Sequence, residues 1–170
     1  MDGNIEQIYE VARRKIGLSD ARDLGPISRK DFQRFAVAVG DLNPLYFSEE
    51  AARSAGYPTV IAPPLFITSV MGWGAGPSEV DLREDGLAEL ESFLVPTTGL
   101  RVMGGGQHVE LHAPVLDGMT VTMHRKLSDV SLKEGRSGLL VLFTIARTFL
   151  DNKGDLLVTC RETFIGRGTE

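Results

Sequence analysis

The stretch from residue 35 to residue 71, FAVAVGDLNPLYFSEEAARSAGYPTVIAPPLFITSVM, constrains the fold more than any other part of the chain. At its start, apolar residues recur at positions i, i+3, i+4 and i+7, which predicts an amphipathic helix. These residues are Phe32, Phe35, Ala36 and Val39. Ser28 is suited to begin this helix as its N-cap, and Gly40 is suited to end it. The residues that follow, 41 to 44, are typical of a tight turn.

Two further helices are predicted within the same stretch. Ser48 is a favourable N-cap for a short helix over residues 49–55, which Gly56 would end. A more apolar helix is predicted to begin at Pro63 and to continue to about Trp73. Proline is accepted in the first turn of a helix because the N–H groups there have no intrahelical partner.

The chain after residue 100 is typical of antiparallel strands. Apolar and polar residues alternate over residues 108–113 and 119–124, and a turn at 114–118 joins the two segments. Residues 139–150 are almost uniformly apolar, which favours a central strand buried on both faces. The last strand is predicted over residues 156–165. Helices followed by strands indicate an α+β fold, with an antiparallel sheet wrapped around the helix that begins at Pro63.

The first 26 residues divide into a helix and a connecting segment. One face of the helix is apolar, and its residues are Ile5, Ile8, Val11, Ala12 and Ile16. Mixed charge on the other face favours packing against protein over packing against a membrane. Residues 18–26 are rich in turn-forming residues and are interpreted as a linker. Residues 79–95, an acidic segment of weak periodicity, lie between the helices and the strands.

Composition places the chain in a broad class. Its 170 residues suit a single domain over residues 1–170. A net charge of −5 without a basic tract argues against a nucleic-acid partner. One cysteine excludes an intramolecular disulfide, and no apolar run approaches the ~20 residues of a membrane helix. No leader pattern is evident, so we expect a cytoplasmic protein that is not bound to a membrane.

The central stretch resembles the MaoC-like enoyl-thioester hydratases and dehydratases, a family with the hot-dog fold. That family carries Gly-Asp-x-Asn-Pro-x-His, a short Ala-containing helix, and then Ile-Ala-His-Gly-Met at the start of its central helix. The corresponding residues are 40–46, 50–52 and 61–65. The spacing is conserved between this chain and the family pattern, so the resemblance implies a hot-dog domain. It also implies that residues 79–95 either enclose a bulky acyl group or form a plain surface loop.

Two positions depart from the family pattern. In the family, the Asp and His of the first motif activate water and move the proton, and the Gly of His-Gly-Met donates its N–H to the thioester oxygen. Asp41 is retained here, but Tyr46 takes the place of the His. Tyrosine, with an ordinary pKa near ~10, is a poor general base at neutral pH compared with histidine, near ~6.5. Pro64 takes the place of the Gly, and proline has no N–H. The loss of one such donor typically lowers the rate ~10²–10³-fold.

The resemblance is greatest to the N-terminal, non-catalytic type of dehydratase domain, which carries Ala-Pro-Pro at this point. It implies a subunit that shapes the acyl pocket of an enoyl-thioester hydratase or 3-hydroxyacyl-thioester dehydratase beside a catalytic hot-dog partner. It also implies a substrate carried on coenzyme A or acyl carrier protein, with no other cofactor. Asp41 is the catalytic candidate, and the candidate substrate-binding residues are Asn43, Tyr46, Ala62, Pro63, Pro64 and Leu65. Two alternatives stay open: a self-sufficient enoyl-CoA hydratase that uses Asp41, or a non-enzymatic acyl-thioester binder.

Other motifs favour structural roles. His108 and His112 are too far apart on one strand, at ~3.3 Å per residue, to share a metal ion, so no metal site is predicted. The glycines at 104–106 precede a strand and indicate a bulge or bend. Cys160 is interpreted as a small core or interface residue. Several cations are candidates for contact with coenzyme A phosphates, and none is singled out by its spacing: Arg101, Arg125, Lys126 and Arg136. Because a sheet with bare edges is poorly soluble, we expect a dimer that pairs edge to edge.

Overall fold

The computed structural model describes residues 2–71, 78–82, 86, 94, 97–136 and 138–168. Among these residues, short helical turns lie at Pro44–Tyr46, Ile67–Met71 and Glu79–Asp81. The helices and strands, in chain order, are α1 (Asp2–Arg13), β1 (Ser19–Pro26), α2 (Arg29–Val39), α3 (Glu49–Ser54), β2 (Leu100–Leu111), β3 (Thr120–Gly135), β4 (Gly138–Asp151) and β5 (Leu156–Gly168).

The five strands form one antiparallel sheet in the order β1-β3-β4-β5-β2. The predicted α+β class with an antiparallel sheet is therefore confirmed. Strand β4 is central, as its apolar composition indicated. Its side chains alternate between fully buried, as at Phe143 and Phe149, and half-buried, as at Leu142 and Leu150. The expectation that both faces are buried is wrong, because the side chains on one face of β4 are only half-buried and the described helices cover the other face.

Two groups of buried side chains lie between the covered face of the sheet and the segments that pack on it. One group packs beneath α2 and the turns around it, and includes Phe32, Phe66 and Phe149. The other packs beneath α1, and includes Ile5 and Phe143. The predicted N-terminal helix therefore packs against its own sheet. Its Val11 is exposed instead of facing the core, as is Ile16 beyond the end of α1.

The segment interpreted as a linker is strand β1, so that expectation is wrong. Residues Ser19–Pro26 pair with β3 along their length, with a bulge between Asp23 and Gly25. The segment lacks the β-branched and aromatic residues that mark a strand in sequence. An edge strand tolerates Pro and Gly because only one side of its backbone takes part in the ladder. Asp20 adds a side-chain contact, since it accepts two hydrogen bonds from the buried Arg125.

Helices α2 and α3 lie where the sequence predicts them, and Ser28 takes the N-cap position of α2 without a capping hydrogen bond from its side chain. Gly40 takes the left-handed conformation, with φ 76°, that ends α2, and the Ser48 hydroxyl accepts from the Ala51 N–H at the start of α3. One residue of α2 departs from the predicted pattern. Val39 was expected on the apolar face of the helix, but it is 57% exposed.

The apolar helix begins later than predicted. Helical conformation covers Ile67–Met71 as a π-helical turn, and Pro63 lies outside it. A residue that precedes a proline is disfavoured in the α region, which disfavours a helix start at Pro63, directly before Pro64. Phe66 anchors this segment against Phe32 and Phe35 of α2, with ring centroids 6.1 and 5.7 Å apart. The predicted end of the helix at Trp73 and most of residues 79–95 fall outside the described residues. Within the described residues, no helix has the length and apolar character needed to cross a bilayer.

Candidate functional site

The turn after α2 places Asp41 and Tyr46 opposite each other. The Asp41 N–H donates to the Ala36 carbonyl at 2.9 Å, which directs the chain away from the helix axis. Asn43 then caps the turn Pro44–Tyr46, since its Oδ1 accepts from the Leu45 N–H at 3.1 Å. The Asn side chain is thus used to shape the turn. The turn chemistry read from the sequence accounts for this local path.

The Tyr46 hydroxyl donates a hydrogen bond to Asp41 Oδ2 at 3.1 Å. The ring is buried, with 5% of the residue exposed, whereas Asp41 is exposed. Burial raises the pKa of Tyr46 above its ordinary value, and the hydrogen bond to Asp41 and the carboxylate charge raise it further. Tyr46 therefore stays protonated at neutral pH and acts as a donor. It cannot accept a proton from water as a histidine would.

Hydrogen bonds tie this turn to the segment that carries the two prolines. The Gln33 side-chain amide donates to the Tyr46 carbonyl at 2.9 Å. The Ile61 N–H donates to the Leu45 carbonyl at 3.1 Å, so residues 61 and 45 are neighbours. Tyr46 and Ala62 belong to the same buried cluster. The structure thus brings together the two motifs that the sequence resemblance singled out.

Residues 62–64 leave no N–H to donate to a substrate oxygen. The Ala62 N–H donates to the Val115 carbonyl at 2.8 Å, and neither proline has an N–H. Pro63 is buried, whereas Pro64 and Leu65 are exposed at the surface. An oxyanion hole of the family type cannot form from this backbone segment.

Arg29, which the sequence analysis did not single out, links the elements around the site. Its backbone N–H and Nε donate to Asp117, at 2.9 and 2.6 Å, and its Nη2 donates to Glu49 at 2.7 Å. Thr59 also donates to Glu49, at 3.0 Å. The Arg29 bond, and then the Thr59 bond, lower the pKa of Glu49. Arg29 therefore joins the starts of α2 and α3 to the turn before β3. Asp117 is 88 positions away in sequence, and no local pattern marks such a contact.

The polar residues at the end of β2, with His112 just after it, contact one another and strand β5. His112 Nε2 lies 3.2 Å from the Thr159 hydroxyl, and Thr159 donates to Glu110 at 3.1 Å. The hydrogen bond from Thr159 and that from His108 lower the pKa of Glu110. Within the described ranges, no group of three or more His, Cys, Asp or Glu side chains is arranged to hold a metal ion.

Two structural interpretations of single motifs are confirmed. The pairing of β2 with β5 has a bulge between Gly104 and Gly106. Cys160 is buried, and burial raises the pKa of its thiol. One cation considered for coenzyme A is placed elsewhere: Arg125 is 3% exposed and bonded to Asp20, so it cannot reach a ligand in solvent.

Comparison with known proteins identifies the family. A family model described as FAS1-like, dehydratase domain region, matches residues 14–160. The chain belongs to this family. Together with the relatives and solved structures below, the match confirms membership of the MaoC-like dehydratase family and the hot-dog fold, as the motifs at Asp41 and Pro63 implied.

Two relatives illustrate the range of the family. A UPF0336 protein of Streptomyces coelicolor is 31% identical over 147 residues, which are 85% of this chain and 86% of that protein. A probable enoyl-CoA hydratase alpha subunit of Thermomonospora curvata is 27% identical over 147 residues. That match covers 82% of this chain but only 44% of the longer alpha subunit.

Two solved complexes from Mycobacterium tuberculosis share the fold. A chain of the ChsH1-ChsH2 complex aligns with a TM-score of 0.70 and 20% identity, covering 96% of this chain and 90% of that chain. A chain of the HadBC 3R-hydroxyacyl-ACP dehydratase complex aligns with a TM-score of 0.65 and 24% identity, covering 89% and 97%. At these identities the likeness concerns the fold.

Proposed function

We propose that this chain is the non-catalytic hot-dog subunit of an enoyl-thioester hydratase or 3-hydroxyacyl-thioester dehydratase, and that it shapes the acyl pocket beside a catalytic partner. The observation that carries the proposal is the hydrogen bond from the buried Tyr46 hydroxyl to Asp41. A protonated phenol occupies the position from which the family's histidine works.

Hydration of a 2-enoyl thioester needs a base that takes a proton from water and a donor that stabilises the enolate oxygen. Tyr46 is held protonated by burial and by Asp41, so the first function is lost. The Ala62 N–H is engaged with Val115 and the next two residues are prolines, so the second is lost from this segment. A partner with an intact Asp-x-Asn-Pro-x-His motif would restore both.

The comparisons support the proposal at a coarser level. The Thermomonospora relative bears the name of an enoyl-CoA hydratase alpha subunit, which describes one part of an assembly. Both Mycobacterium structures are complexes of more than one kind of subunit, ChsH1-ChsH2 and HadBC. A hydratase-type function with a hot-dog partner fits these relationships.

Two other functions are separated by a single assay. A self-sufficient hydratase would depend on the carboxylate of Asp41, which is exposed. A binder of acyl thioesters would bind crotonyl-CoA without hydrating it, alone or with a partner. We therefore propose to measure crotonyl-CoA hydration by the chain alone and mixed with a hot-dog chain that carries the intact motif.

The proposal expects little turnover by the chain alone and a large gain in the mixture. Asp41→Asn in this chain should then change the rate of the mixture little, and the same change at the partner's motif Asp should abolish it. Asp31→Asn is the matched control, since Asp31 is an exposed carboxylate on α2. Fast turnover by the chain alone that Asp41→Asn abolishes would establish the self-sufficient enzyme instead.

A further inference from the structure

Arg29, the first residue of α2, binds one carboxylate at the start of α3 and another in the turn before β3. Its backbone N–H and its Nε donate to the two carboxylate oxygens of Asp117, at 2.9 and 2.6 Å. Its Nη2 donates to Glu49 Oε1 at 2.7 Å, and the Thr59 hydroxyl donates to the same oxygen at 3.0 Å. Arg29 therefore holds Asp117 directly and Thr59 through Glu49.

The residues that Arg29 holds are attached to the segment just before the two prolines. The Asp117 N–H donates to the Val60 carbonyl at 3.3 Å, and the Ala62 N–H donates to the Val115 carbonyl at 2.8 Å. An antiparallel bridge joins the residues between these two bonds. Thr59 directly precedes these contacts. This segment is therefore tied to Arg29 at its start through Glu49, and along its length through the turn before β3.

The prolines make the position of the next residues depend on this attachment. Residues 62–65 are all candidate substrate-binding residues, and we call them the pocket wall. Pro63 and Pro64 have no N–H with which to bind a neighbouring segment. The pocket wall is held instead at its two ends, by the Ala62 N–H and by the ring of Phe66, which packs against α2. A shift of the turn before β3 would therefore move the pocket wall.

The bonds of Arg29 are suited to fix this position. The side chains of Asp117, Glu49 and Arg29 are 23%, 35% and 41% exposed, so solvent screens them less than it screens a fully exposed ion pair. Hydrogen bonds between ionised groups are also stronger than those between neutral groups. Arg53 lies 3.5 Å from the other oxygen of Glu49, but it belongs to the same helix as Glu49. That contact therefore ties α3 to itself.

We propose that Arg29 is a positioning residue of the acyl pocket, which holds the pocket wall where a long acyl chain can pack against it. The inference rests on the proposed function, in which this chain shapes the pocket and the partner supplies the reacting groups. A long acyl chain buries more methylene groups against the pocket wall than a short one does, so a displaced wall weakens its binding more. Arg29 thus sets acyl-length selectivity without touching the reacting atoms.

Amide hydrogen exchange in the chain alone tests the positioning role. In Arg29→Gln, the amides of Ala62 and Asp117 should exchange about tenfold faster, because the two segments that they join lose their common anchor. Arg29→Lys keeps the charge but lacks the planar fork, so it should restore part of the protection and serves as the second variant if Arg29→Gln does not fold.

Two controls separate this effect from a general loss of stability. Arg53→Gln removes the other cation beside the same carboxylate and should leave both amides as in the wild type. Asp20→Asn removes the partner of the buried Arg125 and lowers global stability at a distant edge of the sheet. It should also leave both amides unchanged, because they exchange by a local opening that does not break the Asp20 contact.

Kinetics of the mixture with the catalytic hot-dog chain tests the role in selectivity. With the longest 2-enoyl-CoA that the mixture hydrates, Arg29→Gln should raise KM about tenfold, the effect of roughly two lost methylene contacts. It should leave kcat unchanged, because the reacting groups belong to the partner. With crotonyl-CoA, both constants should stay within about twofold of the wild type. A loss of folded protein would instead lower kcat for both substrates.

Several results would overturn the inference. They are unchanged exchange in Arg29→Gln, equal acceleration in Arg53→Gln or Asp20→Asn, and an equal change of KM for the long and the short substrate. A mixture without turnover would reject the proposed function, and the exchange measurement would still decide whether Arg29 fixes the pocket wall. Wild-type exchange together with wild-type turnover in Arg29→Gln would reject the positioning role alone.

Discussion

At the scale of single residues, the Tyr46–Asp41 pair decides what the site can do. The sequence resemblance implies an acid and a base at these two positions in the family. A hydroxyl that donates to the carboxylate replaces the base, and burial keeps the hydroxyl protonated. The two side chains are joined by a hydrogen bond that stabilises the turn, and the contribution of this bond to stability can be measured.

Tyr46→Phe should lower the free energy of unfolding by about 1 kcal/mol at neutral pH, since it removes one hydrogen bond to a carboxylate. The folded-state pKa of Tyr46 is raised, so its contribution is complete below the unfolded value of ~10 and declines as the pH rises through the folded value. The difference between wild type and variant should therefore shrink above pH ~10. Urea unfolding at pH about 8 and about 11 measures this.

The control for this prediction is Tyr57→Phe, which removes a phenol hydroxyl from a half-buried ring outside the pair. A Tyr46→Phe variant as stable as wild type at neutral pH would show that the Asp41 bond contributes nothing to the turn.

A second residue-scale prediction concerns restoration of the motif. Tyr46→His alone should not produce hydration of crotonyl-CoA, because residues 62–64 still lack a free N–H. The triple variant Tyr46→His/Pro63→His/Pro64→Gly restores the family sequence and should show a measurable gain. Each missing group typically lowers a rate ~10²-fold or more. The hydration rate gained in the triple variant should therefore exceed the sum of the gains from restoring each motif alone. Activity in the single variant equal to that of the triple would refute the oxyanion argument.

At the scale of elements, a row of charged side chains crosses the covered face of the sheet between the two apolar clusters. Asp20, Arg125 and Arg147 are direct neighbours on β1, β3 and β4. Glu162 of β5 binds Arg147, which is 8% exposed. Two arginines directly opposite each other are destabilising unless each has a carboxylate. These carboxylates therefore tie the edge strand β1 and the strand β5 to the centre.

Asp20→Asn should lower the free energy of unfolding by about 1–3 kcal/mol. This is below the ~3–5 kcal/mol for a fully buried pair, because Asp20 is partly exposed. The hydrogen bond from Arg125 lowers the pKa of Asp20, so its stabilisation is present above the unfolded value of ~3.9 and is lost as the pH falls through the folded value. Thermal melts between pH ~3 and pH ~7 should show a steeper acid decline for wild type than for the variant. Asp129→Asn, an exposed carboxylate on β3, is the control.

Packing at the centre of the sheet gives a third stability prediction. A Cβ at Gly166 of β5 would lie 2.8 Å from Leu100 Cδ1 and 2.9 Å from Val141 Cγ1, both fully buried. Gly166→Ala should therefore destabilise the fold by ~1–3 kcal/mol through overpacking. Gly104→Ala, where a Cβ meets nothing within 4 Å, is the matched control and should have little effect. Equal midpoints in chemical denaturation for both variants would contradict the tight packing at Gly166.

Sequence could predict the elements whose signals are local. Helices α2 and α3 were found because Gly40 and Ser48 mark their ends, and β3 because its apolar residues alternate. Sequence does not predict strand β1, because this strand is stabilised by pairing with β3 and by the Asp20–Arg125 contact. These two residues are 105 positions apart in sequence. The identity of the site residues followed from the motif, but the Tyr46–Asp41 bond and the Arg29 links depend on tertiary geometry.

At the scale of the whole molecule, the two edges of the sheet differ. Strand β1 is short and carries charges, a proline and a bulge, which are devices that discourage pairing with another chain. Strand β2 is longer, and it is mostly exposed along its length. Its Met103 and Leu111 are 43% and 54% exposed. We infer that the partner subunit, or a second copy of this chain, pairs with the β2 edge.

Met103→Lys/Leu111→Lys should therefore weaken assembly, because two charges placed on β2 would be buried or repelled at the interface. Sedimentation velocity over micromolar concentrations, alone and with the catalytic partner, should show at least a tenfold rise in the dissociation constant, since ~1.4 kcal/mol suffices. Val80→Lys is the control, because Val80 is 90% exposed and lies outside the sheet. Assembly that survives the β2 change but is lost on Ser19→Lys/Ala21→Lys, two exposed positions of β1, would place the partner at the β1 edge instead. A double variant that unfolds would show the same loss without informing on the interface, so its far-UV spectrum and melting temperature are measured first. Hydration of crotonyl-CoA by the mixture should fall in parallel with assembly, because the proposed site is complete only when both subunits are present.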